Sequence, residues 1–318
     1  MNNKVKGPNI FIVGAGKSGT TALYNFLDMH PDVYMSPIKE TNYFSTDIDT
    51  EKFNDDYKRL ERNKKIVLNR YVDGPMDKKI FGTYVKEYDH YIKLFKNVKN
   101  ETAIGEASNS YLFSKVAAKN IKDKVPNAKI IMILRDPMTR IFSHHLACVR
   151  DGKVRGGFRE ELERDMQRRR KGWGISHLYV EIGMYYRQVK RYIDLYPKNN
   201  IGIYLYEDFK KNTEAVLKKI LDFIGVDPDI EIDDSKRYNE AKTPKYKEFN
   251  YIITKLGIKK SALQLIPRQY RERVKSSFFT KPHERLNLKD KKYLINIYKE
   301  DVDKLSDLLN KDLSIWLK

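Results

Sequence analysis

Apolar residues follow two rhythms along the chain. Short unbroken runs occur at residues 10–13, in "AKIIMILRDP" at 128–137 and in "NIGIYLYEDF" at 200–209. Runs of this length predict strands buried on both faces, as in a parallel sheet. "TAIGEAS" at 102–108 is a shorter fourth strand. Between the runs the spacing becomes helical: Leu23, Phe26 and Leu27 follow the first, residues 212–224 follow the third, and Leu288, Leu294, Tyr298, Val302, Leu305 and Leu309 mark one side of a last helix. Asp136 and Pro137 supply an N-cap and a first-turn proline to the helix after the second run. Strands alternating with helices predict an α/β class: a P-loop-like three-layer fold with a central, mainly parallel sheet flanked by helices. Ligands in such a fold sit at the carboxyl ends of the strands. No repeat or low-complexity linker interrupts the chain. A single domain over residues 1–318 is expected, with a helical, basic elaboration at about 236–318; the charged stretch 51–65 reads as a solvated helix or loop.

Chemistry gathers at two of the predicted strand ends. "GAGKSGTT", residues 14–21, suggests a nucleoside-triphosphate loop, which needs Gly, four residues, then Gly-Lys-Ser/Thr. That register fails. Phe11 stands where the glycine preceding Gly16-Lys17-Ser18 belongs, and counting from Gly14 leads to Gly19 and Thr20. What remains is a strand, a glycine-bearing loop with Lys17 inside it, and a helix opening on Ser18, Gly19, Thr20 and Thr21. Free amides and hydroxyls at that helix start suit an anion, with Lys17 as a point charge. "LRDPMTRIFSHH", residues 134–145, places Arg135 at a strand end and Ser143 two turns into the next helix, where both can face a second anion.

Taken together, these motifs resemble the PAPS-dependent sulfotransferase family, PAPS being 3′-phosphoadenosine 5′-phosphosulfate. "HPDVYMSPIKETNYF", "IGEASNSYLF", "YEDFKKN", "ILDFIGV", "NEAKTPK" and "LLNKDLSIWL" resemble, in order, segments of bacterial and Golgi carbohydrate-type members. The resemblance implies PAPS as co-substrate, PAP as product and no required metal. It assigns Gly16, Lys17, Ser18, Gly19, Thr20 and Thr21 to the 5′-phosphosulfate, Arg135 and Ser143 to the 3′-phosphate, and Lys242 and Lys245 to a loop closing over PAPS. Lys17 and Glu40, in "KETNYF", become the catalytic pair, Glu40 as general base. One departure stands out: where several heparan-type members carry a second catalytic lysine, this chain has Ala107. A histidine base of the phenol and steroid type has only His90 near by spacing, without that branch's flanking motif. His144 and His145 read as packing or rim residues.

Charge widens the range of partners. The net charge is +19, and residues 236–292 hold 17 basic against 5 acidic residues. Such a surplus attracts polyanions or acidic membranes. Specific nucleic-acid binding lacks a helix-turn-helix, zinc or RNA-recognition signature, and a P-loop kinase is opposed by the failed register. The single cysteine, Cys148, excludes an internal disulfide, and no apolar run approaches the ~18 to 20 residues of a membrane span. A cytoplasmic protein, with peripheral contact at the inner membrane surface, is expected. The acceptor expected is a hydroxyl on a carbohydrate or glycolipid; the alternative is a small hydrophobic alcohol such as a sterol. Its walls should come from residues 45–100, 150–180 and 246–282.

Overall fold

The computed structural model describes residues 5–53, 58, 68–173, 177–230, 243–257, 267, 269–270, 277–280 and 284–318. Strands β1 (Ile10–Gly14), β2 (Val33–Met35), β5 (Ala103–Ala107), β6 (Lys129–Leu134) and β7 (Ile201–Leu205) form a parallel sheet in the order β2-β5-β1-β6-β7. The first motif strand thus lies at its centre. A separate parallel pair, β3 (Ile38–Lys39) and β4 (Ile80–Phe81), sits beside it.

The unbroken apolar runs are explained by the two faces they serve. Phe11, Val13, Ile130, Met132 and Leu134 enter the larger core. Ile10, Ile12, Ile131 and Ile133 enter the smaller one. Helix α1 (Thr20–Leu27) packs on the smaller side through Leu23, Phe26 and Leu27. Helix α4 (Thr213–Ile224) joins it there through Val216, Leu217, Ile220 and Leu221, with Asn212 capping its start. On the larger side lie α2 (Pro137–Arg150), α3 (Tyr185–Ile193) and α5 (Leu288–Leu309). The last helix presents Leu294, Tyr298, Val302 and Leu305 to the core, as its spacing predicts.

Two local differences from the sequence reading have physical causes. The expected third strand stops at Leu205, and Tyr206–Lys211 turns helical. Glu207 and Asp208 in its first turn favour a helix start, and Glu207 Oε1 accepts the N–H of Asp136 at 3.1 Å, joining the ends of β7 and β6. Secondly, β2 was not foreseen because three residues carry no readable period. Of the charged stretch 51–65, only residues 51–53 and Lys58 are described.

Candidate active site

β1 leaves the sheet at Gly14, where its register with β6 shifts. The Ala15 N–H donates to the Ile133 carbonyl at 2.8 Å, tying the loop to β6. Lys17 (φ 72°) and Gly19 (φ 89°) adopt left-handed backbone. Gly19 is required twice over, because a Cβ there would also stand 3.1 Å from the Tyr206 ring. α1 then starts with no side-chain cap on its amides, which leaves its positive end open to an anion.

Three cations converge on this loop. Arg135 donates from Nη1 to the Lys17 carbonyl and from Nε to Thr139 Oγ1, each at 3.1 Å, and its guanidinium lies 4.6 Å over the Tyr206 ring. Part of its fork therefore holds the loop, and the rest remains for a ligand. Arg150, bonded to Asp151 Oδ1 at 2.8 Å, approaches from the end of α2. Burial first, and then the Arg150 charge with a smaller share from Arg135, push the Lys17 pKa down to about 8, while Asp151 acts in the opposite direction. An anionic ligand would relieve that crowding. Ser143 is half-buried on α2, and its hydroxyl has no partner among the described residues. The hydroxyls of Ser18 and Thr20 turn inward: Ser18 is fully buried near Tyr185, and Thr20 donates to Asn109 Oδ1 at 2.9 Å. Gly16 and Thr21 are half-buried at the loop and in the first turn.

Glu40 faces this loop from the end of β3. It has φ 65° and Asn42 has φ 56°, strained values for residues other than glycine. Surrounding bonds hold them there: the Glu40 N–H donates to the Ala107 carbonyl at 2.7 Å, and the Glu40 carbonyl accepts from Thr83 N–H at 2.9 Å and Asn42 Nδ2 at 2.8 Å. The Glu40 carboxylate accepts from Lys39 Nζ on Oε1 at 2.7 Å, from Asn109 Nδ2 on Oε1 at 2.5 Å and from Asn109 N–H on Oε2 at 2.9 Å. Behind it Glu106 is fully buried, accepting from Thr41 Oγ1 (2.8 Å), Ser108 Oγ (2.6 Å) and the Tyr91 hydroxyl (3.3 Å). Burial raises its pKa to about 7; the hydroxyl bonds oppose this and the Glu40 charge adds to it.

Anion loop and carboxylate are thus neighbours joined through Thr20 and Asn109. A model of the sulfotransferase family matches residues 8–230. The chain belongs to the sulfotransferase family. A crystal structure of a sulfotransferase from Alicyclobacillus acidocaldarius is similar at a TM-score of 0.70 and 28% identity, covering 99% of this chain and 100% of that one. Human carbohydrate sulfotransferase 15 is 23% identical over 70% of this chain and 44% of its own length. The membrane-associated sulfotransferase kil1 of Dictyostelium discoideum is 22% identical over 96% of this chain and 66% of its own length. The chain thus spans less than two thirds of these two relatives.

Beside the residues of this site that the sequence marks, the fold brings in Lys39, Asn109, Arg150 and Tyr206, which the sequence reading missed. Lys39, Asn109 and Tyr206 stand in the family-like segments, but only the fold turns them toward Glu40, Thr20 and Gly19. Lys245 is exposed beyond the short strand β8 (Thr243–Pro244), which pairs with β9 (Phe279–Thr280); Lys242 lies outside the described residues. His144 is buried and stacked 4.6 Å from Tyr179, and burial drives its pKa well down. His145 is buried with its ring against Phe158. Both pack, as expected. His90 is half-buried on the helix Tyr88–Lys93, whose Tyr91 reaches Glu106. No helix among the described residues is long and apolar enough to cross a membrane.

Proposed function

We propose that this sulfotransferase moves the sulfuryl group of PAPS to a hydroxyl of a carbohydrate or glycolipid acceptor and releases PAP. The observation that carries the reading is an anion-binding loop crowded by Lys17, Arg135 and Arg150 and bridged by Asn109 to a carboxylate, Glu40. Lys17 and the open first turn of α1 hold the 5′-phosphosulfate, with Gly16, Gly19 and Thr21 shaping that cradle. Arg135 and Ser143 hold the 3′-phosphate, and Lys245 with Lys242 belongs to the loop closing over it. As the acceptor oxygen attacks sulfur, the bond from sulfur to the phosphate oxygen breaks, Lys17 neutralises that leaving oxygen, and the acceptor proton passes to Glu40. The reading requires no metal.

Similarity to a carbohydrate sulfotransferase supports a glycan acceptor. So does exposed positive charge at Arg168, Arg169 and Arg170, which suits an acidic sugar chain. Of the same run, Arg168 already pairs with Asp165, and Lys171 with Asp165 and Glu181, so Arg169 and Arg170 carry most of that charge. Contact with an anionic membrane is the further part of this reading. Tyr246, Phe249, Ile252 and Leu256 are exposed along the helix Lys247–Lys255, with Lys245, Lys247 and Lys255 beside them, a combination that suits the headgroup region.

Labelled PAPS assayed against oligosaccharides, glycolipids and free sterols, with and without EDTA, tests the proposal. Transfer to a sugar hydroxyl that EDTA leaves unchanged is expected. Turnover confined to sterols, or dependent on magnesium and ATP, would overturn it.

A further inference from the structure

Glu40 follows β3 and Thr20 opens α1, and one side chain joins them. Thr20 Oγ1 lies 2.9 Å from Asn109 Oδ1, Asn109 Nδ2 lies 2.5 Å from Glu40 Oε1, and the Asn109 N–H lies 2.9 Å from Glu40 Oε2. The chemistry of the groups fixes the direction of each bond. A carboxylate, the form a base needs, only accepts, so the amide nitrogen must face Glu40. The amide oxygen then faces α1, and the Thr20 hydroxyl must donate to it. Its one proton is committed to Asn109 and is withheld from any ligand in the loop.

These bonds also distinguish the two oxygens of Glu40. A carboxylate offers about four lone-pair sites, two on each oxygen. Lys39 Nζ, on a side chain only 3% exposed, and Asn109 Nδ2 fill both on Oε1. The Asn109 N–H fills one on Oε2, leaving the other open. We propose that Asn109 is a positioning residue: anchored by Thr20, it turns Glu40 so that the open site of Oε2 receives the acceptor proton. It thereby registers the base against the loop that holds the donor. The proposal rests on the reading of Glu40 as general base. Because the backbone N–H survives substitution of Asn109 by Ala or Asp, loss of the side chain should misaim the carboxylate without removing it. A misplacement of ~1 Å can cost about 10²-fold in rate.

The test compares Asn109→Ala, Asn109→Asp, Thr20→Val and the double variant Thr20→Val/Asn109→Ala. PAP affinity is measured by calorimetry, and kcat, KM and the pH profile with labelled PAPS and the best oligosaccharide acceptor. Asn109→Ala should lower kcat at least about tenfold while PAP affinity stays near that of the wild type. Thr20→Val should lose less, and the double variant no more than Asn109→Ala alone. Asn109→Asp should move the acidic limb of the kcat profile to higher pH, because a second carboxylate against Glu40 disfavours its charge. A merely structural role would lower thermal stability and leave kcat of the folded Asn109→Ala variant near that of the wild type. Unchanged kcat in Asn109→Ala, PAP affinity falling in step with kcat, or multiplicative losses in the double variant would each overturn the proposal. A wild type that neither binds PAP nor transfers a sulfuryl group would instead overturn the reading beneath it. In that case the link is read from urea unfolding of the same proteins, where additive losses for Thr20→Val and Asn109→Ala refute it and coupled losses uphold it.

Discussion

On the donor side of Asn109, Lys17, Arg135 and Arg150 crowd one loop, and Lys17 is pushed down to about 8. On the other side, Glu40 and Glu106 stand among amide, ammonium and hydroxyl donors, and Glu106 is pushed up to about 7. Burial is the first cause of both shifts. Each side therefore holds a group whose charge is costly in the empty protein, and the two charges have opposite sign. The donor side gains from receiving an anion, while the carboxylate side is built around fixed internal partners. Binding energy for the cofactor should thus reside on the first side and proton transfer on the second.

The largest expected effect separates the two. Glu40→Gln should reduce turnover by about 10² to 10⁴, the usual worth of a general base, with PAP affinity unchanged. Activity above about a tenth of the wild type would mean that another group accepts the proton. Lys17→Ala should lower kcat by about 10² to 10³, as expected for loss of a charge-stabilising donor. It should weaken PAP as well, which calorimetry reads directly.

The sequence makes one side of this comparison far more legible than the other. The donor loop lies between an unbroken apolar strand and a helix with regular spacing, and glycine with Lys17 marks it locally. Arg135 and the Asp136–Pro137 start of α2 are legible for the same reason, and Asp136 does cap Met138 N–H at 2.9 Å. The carboxylate side is assembled from afar: Asn109 stands 69 positions from Glu40 and 89 from Thr20. Lys39 reads as a solvated lysine, since lysine is rarely buried unless paired, and only its ion pair with Glu40 explains its position. Glu106 lies in a strand legible as "TAIGEAS", but nothing local announces that three hydroxyls close around it. Family resemblance located Glu40; packing alone locates what orients it.

Titration sharpens the contrast. In the unliganded protein Lys17 is charged below about pH 8 and neutral above it. PAP affinity should therefore hold steady below that value and fall as pH rises through it, by up to about tenfold per unit if one proton is linked. Lys17→Ala should show no such fall.

Glu106 gives a smaller effect in the same pH direction. Its folded pKa of about 7 lies above the ordinary value of 4.5, so its protonated form favours the folded state. That contribution is fully present below about 4.5 and is lost as pH rises through about 7. Melting temperatures of the wild type and Glu106→Gln, followed from pH 5 to 8, should show the wild type losing stability relative to the variant across that window. Parallel curves would place the Glu106 charge elsewhere in pH.

The division of labour itself is tested most directly by titrating PAP into the wild type, Lys17→Ala and Glu40→Gln in one calorimetric series at pH 7. The account predicts that the wild type and Glu40→Gln bind PAP alike and that Lys17→Ala binds it at least about tenfold more weakly, a difference of about 1.4 kcal/mol. Equal binding by all three, or a loss confined to Glu40→Gln, would contradict it.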